Sequence, residues 1–307
     1  MLTPRRWLGG ASAAALALAT LATTLTTSTP RLQAADAVRG LWLDRTRLTS
    51  PQSIDDAVAS AVKDGFNTLI VQVRGRGDSY FLNGLEPRPV ALLSQPAFDP
   101  LADAIAKGHA RGLAVHAWIN VNLVAGTDVP TSRAHIVYRH PEWLMVPRLI
   151  ASDLESLDPD GPAYLGRITR YARSQAAELE GVYLSPATDG AVAYTTGVVR
   201  DIVQRYAIDG VHFDYLRYPG DDFDYGRETL RAFGQNPARA PERWRQFRAE
   251  RLTALLTSLR SAVKAARPAA VISATVSQET WLAQGLLDAV LRRIPEPSPD
   301  IIKAASF

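Results

Sequence analysis

The chain has 307 residues, 47% apolar and 21% charged, an ordinary balance for a folded protein of one large or two smaller α/β domains. It holds no cysteine, which excludes disulfides and thiolate chemistry. The net charge of +3 comes from Arg5, Arg6 and Arg31; beyond residue 34 there are 31 basic and 31 acidic residues, so nucleic acid is not an expected partner.

The first residues read as a targeting segment. Arg5 and Arg6 precede "WLGGASAAALALATLATTL", and "LQAADA" offers a small-residue cleavage site near Ala34 or Ala35. The run is rich in Ala and Thr and only weakly apolar, a poor membrane span, although an uncleaved anchor is the alternative. The Arg-Arg pair also permits twin-arginine export. The expectation is a signal peptide over 1–35 and an exported domain over 36–307, without stable membrane insertion after cleavage.

Strands and helices then alternate. "VRGLWLD" (38–44) reads as a strand, and 50–65 as a helix capped by Ser53 and closed by Gly65. "TLIVQVR" (68–74) is a strand, 99–112 a helix opening at Asp99-Pro100, and "LAVHAWIN" (113–120) a third strand. Residues 121–188, with prolines at 130, 141, 147, 159 and 162, form a long loop insertion with a helix over 163–180 and a short strand or loop at "GVYLSP". Helix 190–208 leads into "DGVHFDYLRYP", helix 240–268 follows, "AVISATV" (270–276) is a further strand, and "LLDAV" (286–290) can be one more. Repeated strand–helix–strand units mean a parallel sheet. No G-x-G-x-x-G turn follows the first strand, so a TIM-type (β/α)8 barrel is expected over a dinucleotide fold.

Alternation along the strands points the same way. Parallel strands are ordinarily apolar on both faces, yet one face here is polar toward the strand ends. Asp44 shares a face with Trp42, Gln72 with Arg74, and Asn120 with His116 and Trp118; His212 aligns with Asp214, and Ser273 with Thr275 and Ser277, Glu279 lying just beyond. The other face reads Leu41, Leu43, Val71, Val73, Val115, Val211 and Phe213. A polar cluster at the C-terminal ends is where such barrels build active sites. Each residue also has a bland reading: a carboxylate paired with Arg74, satisfied core histidines, or core tryptophans.

Carboxylates Asp44, Asp78, Asp214 and Glu279 among Trp, Tyr, Asn and Arg suit glycoside hydrolysis, with one acid protonating the leaving oxygen and one carboxylate acting as nucleophile or base. Trp42, Trp118, Trp143, Tyr215 and Tyr218 are candidate sugar platforms. Arg74, Arg76, His116, Asn120, His212 and Arg217 are candidate binding groups, with Asp44 and Asp78 either among them or in the catalytic pair. No G-x-S-x-G elbow supports a serine triad. A metal-dependent deacetylase or amidase using His116, His212 and Asp214 stays open, as does a non-catalytic carbohydrate-binding barrel.

"RGLWLD", "NTLIVQVRGRGDSYF", "DPLADAIAKGHARGLAVHAWIN", "HPEWL", "LSPA" and "RYAIDGVHFDYLRYP", in this order over about 38–290, resemble the bacterial glycosyl hydrolase-like 10 family. The resemblance implies an exported (β/α)8 glycosidase needing no cofactor, in some members acting on peptidoglycan glycan strands. It makes Asp214, at the end of the fourth barrel strand, the best catalytic carboxylate and leaves Glu279 as partner acid. The setting of Asp214 is also similar to the nucleophile strand of α-amylase-type barrels, an analogy of fold only. The family pattern continues past Val290, whereas this chain reads "LRRIPEPSPDIIKAASF", proline-rich and without strand pattern. A barrel incomplete at its C-terminus is therefore expected.

Overall fold

The computed structural model describes residues 38–275, 280–294 and 303–306. Four strands arise from the β-branched and aliphatic runs nearest the expected positions: β1 (Gly40–Leu43), β2 (Thr68–Arg74), β3 (Ala114–Asn120) and, after an insertion, β6 (Gly210–Asp214). The insertion holds β4 (Leu123–Ala125) and β5 (Val182–Tyr183), an antiparallel pair. Beyond β6 come β7 (Val271–Ala274), β8 (Ala289–Ile294) and β9 (Lys303–Ser306).

The main sheet runs β1-β2-β3-β6-β7-β8, every neighbouring pair parallel. β9 pairs antiparallel with both β8 and β1 and closes the ring. Six parallel strands thus stand where a complete (β/α)8 barrel has eight. The tail expected to lack strands supplies the end of β8 and all of β9. In β8, Ala289 and Leu291 alternate into the barrel interior, where Leu291 packs with Trp42, Ile70 and Trp118. The β9 backbone pairs with two sheet edges that would otherwise stay open.

Helices α1 (Pro51–Lys63) and α2 (Pro100–Ala110) connect the first three strands. Asp99 caps α2, its carboxylate accepting the Ala102 N–H. Ser50, and not Ser53, caps α1: its hydroxyl accepts the Ser53 N–H at 3.2 Å, and Pro51 takes the first helical position, where no N–H is needed. The insertion carries α3 (Ile136–Arg139), α4 (Arg148–Glu155) and α5 (Pro162–Ser174) around its own apolar core, including Leu123, Leu144, Ile168 and Tyr183. Then come α6 (Asp189–Arg205), α7 (Arg227–Phe233), α8 (Pro241–Ala266) and the short α9 (Thr280–Ala283). Among the described residues no helix is long and apolar enough to cross a membrane.

The alternation reading holds for the outer layer. Leu41, Leu43, Val71, Val73, Val115, Val211 and Phe213 pack in one cluster with the apolar faces of the helices. The inward layer is filled at mid-height by aromatic rings. Trp42 meets Trp118 edge-to-face at 4.9 Å and His212 at 4.6 Å.

Candidate active site

At the C-terminal ends of the strands the register sets Asn120 opposite Asp214, and His212 between Trp118 and Ser273. Asp214 closes β6 as a largely buried carboxylate, and the next residue, Tyr215, turns the chain with φ 52°. That left-handed conformation is uncommon for a residue with a Cβ and tends to persist where surrounding contacts over-determine it. Here the Tyr215 N–H donates to Asp214 Oδ1 at 2.8 Å, and its carbonyl accepts the Asn122 N–H.

A cleft of about 570 Å³ opens beside Asp214, between the 215–221 loop and α8. Tyr215, Arg217, Tyr218, Arg248, Thr275 and Trp281 contribute to its lining. Arg217 lies over the rings of Tyr183 and Tyr215, at 5.8 and 5.5 Å, and pairs with Glu180. Arg248 lies 4.1 Å above the Tyr218 ring and donates to the Gly220 and Asp221 carbonyls, fixing the loop that frames the cleft. Thus Asp214, Tyr215 and Arg217 come together in one cavity. Glu279 and Ser277 lie outside the described residues.

A second polar group crowns β1 to β3. Gln72 accepts the Arg45 N–H at 3.2 Å, and Asn120 donates to the Gly75 carbonyl at 2.7 Å. Asp78 accepts the N–H groups of Gly75 and Arg76, which tightens the "RGRGD" turn. Gly77 stands there at φ 65°, and a Cβ would come within 2.7 Å of the His135 ring. His135 Nε2 in turn donates to the Arg76 carbonyl at 2.7 Å. Burial and the neighbouring Arg45 push the half-buried Arg76 guanidinium below its usual pKa. Asp44 is exposed and caps a short 3₁₀ turn, accepting the Thr46 N–H at 2.7 Å.

Four expectations change. Arg74 does not reach a substrate: the β2–β3 register shifts between Gln72 and Arg74, placing Arg74 against Ile119. It is fully buried, pairs with Glu86 through two 2.7 Å bonds, and also donates to the Asn120 and Val121 carbonyls. Trp118 is closed to solvent against Trp42 and fills the barrel instead of offering a sugar platform. His116 is sealed below it, its ring against Gly210, where a Cβ would come within 2.7 Å; burial lowers its pKa to about 4, so it stays neutral. His212 is fully buried, with Nδ1 2.9 Å from Ser273 Oγ and Nε2 3.0 Å from Thr275 Oγ1. It braces the floor beneath Asp214, its ring closed to solvent. Among the described residues no three His, Asp or Glu side chains are placed to share a metal ion.

Glu86, Glu180, Arg248 and Trp281 were not anticipated. A signal existed for Arg248, which occupies the i, i+4 stripe of Trp244 and Leu252 on an otherwise apolar helix face. Trp281 is buried, its indole N–H donating to Thr253.

Residues 37–290 match the model of the family described as glycosyl hydrolase-like 10. The chain is 24% identical to glycosyl hydrolase YngK of Bacillus subtilis, over 67% of this chain and 36% of that protein. It is 23% identical to glycosyl hydrolase DigH of Escherichia coli, over 76% of this chain and 54% of the relative. The chain therefore spans about a third to a half of the length of these curated relatives. In fold it resembles the glycoside hydrolase domain of PgaB (BpsB) from Bordetella bronchiseptica (TM-score 0.52, 15% identity, 80% of this chain and 67% of that one). It also resembles an α-L-fucosidase from Paenibacillus thiaminolyticus (TM-score 0.50, 14% identity, 81% and 34%).

Proposed function

The chain belongs to the glycosyl hydrolase-like 10 family, and from that premise we propose that it is an exported glycoside hydrolase. Its substrate in this reading is a bacterial cell-wall or related polysaccharide, with peptidoglycan glycan strands favoured. The observation that carries the reading is Asp214: a carboxylate at the C-terminal end of the fourth barrel strand, one oxygen held by a backbone N–H, beside a cleft walled by aromatic rings and guanidinium groups.

Asp214 serves as nucleophile or base, and Glu279, just past β7, is the proposed partner acid. Tyr215 and Tyr218 offer ring faces to the sugar, while Arg217 and Arg76 supply donors for its hydroxyls. Asn120 and Asp78 hold the adjoining rim in shape. Asp44 stands at the exposed edge of that rim as a further binding group.

The test is release of new reducing ends from purified glycan strands, bare or bearing stem peptides, with and without chelator. The reading predicts turnover that chelator leaves unchanged. Release of acetate or stem peptide in place of reducing ends, abolished by chelator and restored by zinc, would replace it with a metal-dependent deacetylase or amidase. Saturable binding without any new reducing ends would replace it with a carbohydrate-binding barrel.

A further inference from the structure

A second cleft, of about 550 Å³, lies between α4, the start of α5 and α7, and shares no lining residue with the cleft beside Asp214. Its walls are set by backbone pairing. Arg148 N–H donates to the Asp222 carbonyl at 2.7 Å, Tyr225 N–H donates to Val146 at 2.8 Å, and Pro147 bridges Phe223. Beneath this strip Asp224 is fully buried and accepts the hydroxyls of Ser185 at 2.8 Å and Thr229 at 3.0 Å. The cleft is thus preformed.

Its polar groups converge without satisfying one another. Tyr164 has its ring packed in the wall of the cavity, and its hydroxyl faces the cleft with no hydrogen bond to any described residue. Its oxygen keeps contact with solvent in the cleft, so a ligand there would replace water on it. Across the cavity Tyr225 is half exposed, with the Arg148 guanidinium 5.8 Å from its ring. Arg148 has only the exposed Asp222 within ion-pair reach, at 3.9 Å, and Arg231 pairs with no described carboxylate. Arg227 is engaged by the Leu154 and Leu157 carbonyls. Glu155 is the one acidic residue of the lining, against Arg148, Arg227 and Arg231, while the charges of Glu142, Glu228 and the buried Asp224 also reach Tyr164.

We infer that this cleft binds a carboxylate-bearing pyranose unit of a glycan, at a site separate from the cleft beside Asp214. The Tyr225 face meets the C–H face of the sugar ring, the Tyr164 hydroxyl bonds a sugar oxygen, and Arg231 with Arg148 takes the carboxylate. A fatty acid would leave the Tyr164 hydroxyl unpaired, and inorganic phosphate would leave the tyrosine face unused. The inference stands whether or not Asp214 is catalytic.

The test is calorimetric titration of the full chain carrying Asp214→Asn, so that no probe is consumed. The acidic probe is a hyaluronan tetrasaccharide and the neutral one is tetra-N-acetylchitotetraose. The acidic probe should bind about ten-fold more tightly, with affinity falling as salt rises. Tyr164→Phe and Arg231→Ala should each weaken it by about five-fold, the effect of one lost hydrogen bond or one partly solvated charge contact. Arg111→Ala, exposed and lining neither cleft, should leave it unchanged. Because Tyr164→Phe removes a hydroxyl that has no described partner, its melting temperature should equal or exceed that of the parent. Equal affinity for both probes, indifference to both substitutions, or no binding at millimolar probe would overturn the inference.

Discussion

Tyr215 donates its backbone N–H to the carboxylate of Asp214 at 2.8 Å while standing at φ 52°, a conformation that favours glycine. The two facts are coupled, because the same left-handed turn carries the chain from the end of β6 into the loop that frames the cleft. A left-handed conformation costs a residue with a Cβ roughly 1–2 kcal/mol. Tyr215→Gly relieves that cost while losing ring contacts with Tyr183 and Arg217, so its stability should stay within about 1 kcal/mol of the parent. Tyr215→Val keeps that strain, worsens it with a β-branched side chain and loses the ring contacts, so it should fall by about 2–4 kcal/mol. Urea denaturation compares the two; equal losses would mean that the backbone at 215 is not strained.

The Arg74–Glu86 pair is sealed from water, with side chains 0% and 1% exposed. Removing one partner leaves a buried charge, so Glu86→Ala should cost about 3–5 kcal/mol. Replacing both with apolar residues, Arg74→Met with Glu86→Leu, should recover much of that. Because the pair is dry, the Glu86→Ala penalty should change little between low and high salt. A loss below about 1 kcal/mol would show that solvent reaches the pair.

Two buried groups give stability opposite slopes in acid. Burial lowers the His116 pKa to about 4, so the unfolded chain takes up a proton first and this contribution is lost as pH falls from about 6.5 to 4. Burial raises the Asp224 pKa to about 6, so the folded chain takes up its proton first, and stability gains as pH falls from about 6 to 4. Relative to the parent, His116→Phe should lose less stability on acidification over that window and Asp224→Asn should lose more. Each difference should be at most about 1.4 kcal/mol per pH unit. Parallel curves for parent and variant would contradict the assignment.

Trp118→Ala should cost about 3–5 kcal/mol, as expected for an aromatic ring removed from a packed interior. If the ring instead served as a sugar platform, the variant would melt near the parent temperature and lose only affinity.

The outer half of the fold was legible because period-2 alternation is a local property. Leu41, Val71, Val115 and Val211 could be assigned to the helix-facing side from spacing alone, and so could the inward direction of Trp42, His116 and His212. Depth was not legible. Alternation says which way a side chain points but not how far along the barrel its ring sits, so interior fillers such as Trp118 read the same as groups at the mouth. Arg74 escaped for another reason: a bulge breaks alternation without leaving a mark in "TLIVQVRGRGD", and its partner Glu86 is twelve residues away in an irregular loop. The strands of the tail leave no local mark because "LRRI" and "KAAS" gain strand structure from pairing with β1 and with each other, a non-local effect.

The most direct test of the central claim compares the parent with Asp214→Asn, matched for melting temperature, in release of reducing ends from peptidoglycan glycan strands. The account predicts measurable turnover by the parent and a loss of about 10³-fold or more in the variant, with binding of the strands retained. Turnover that survives Asp214→Asn within a factor of about ten would contradict it, because so small a loss is what an indirect, structural role would give.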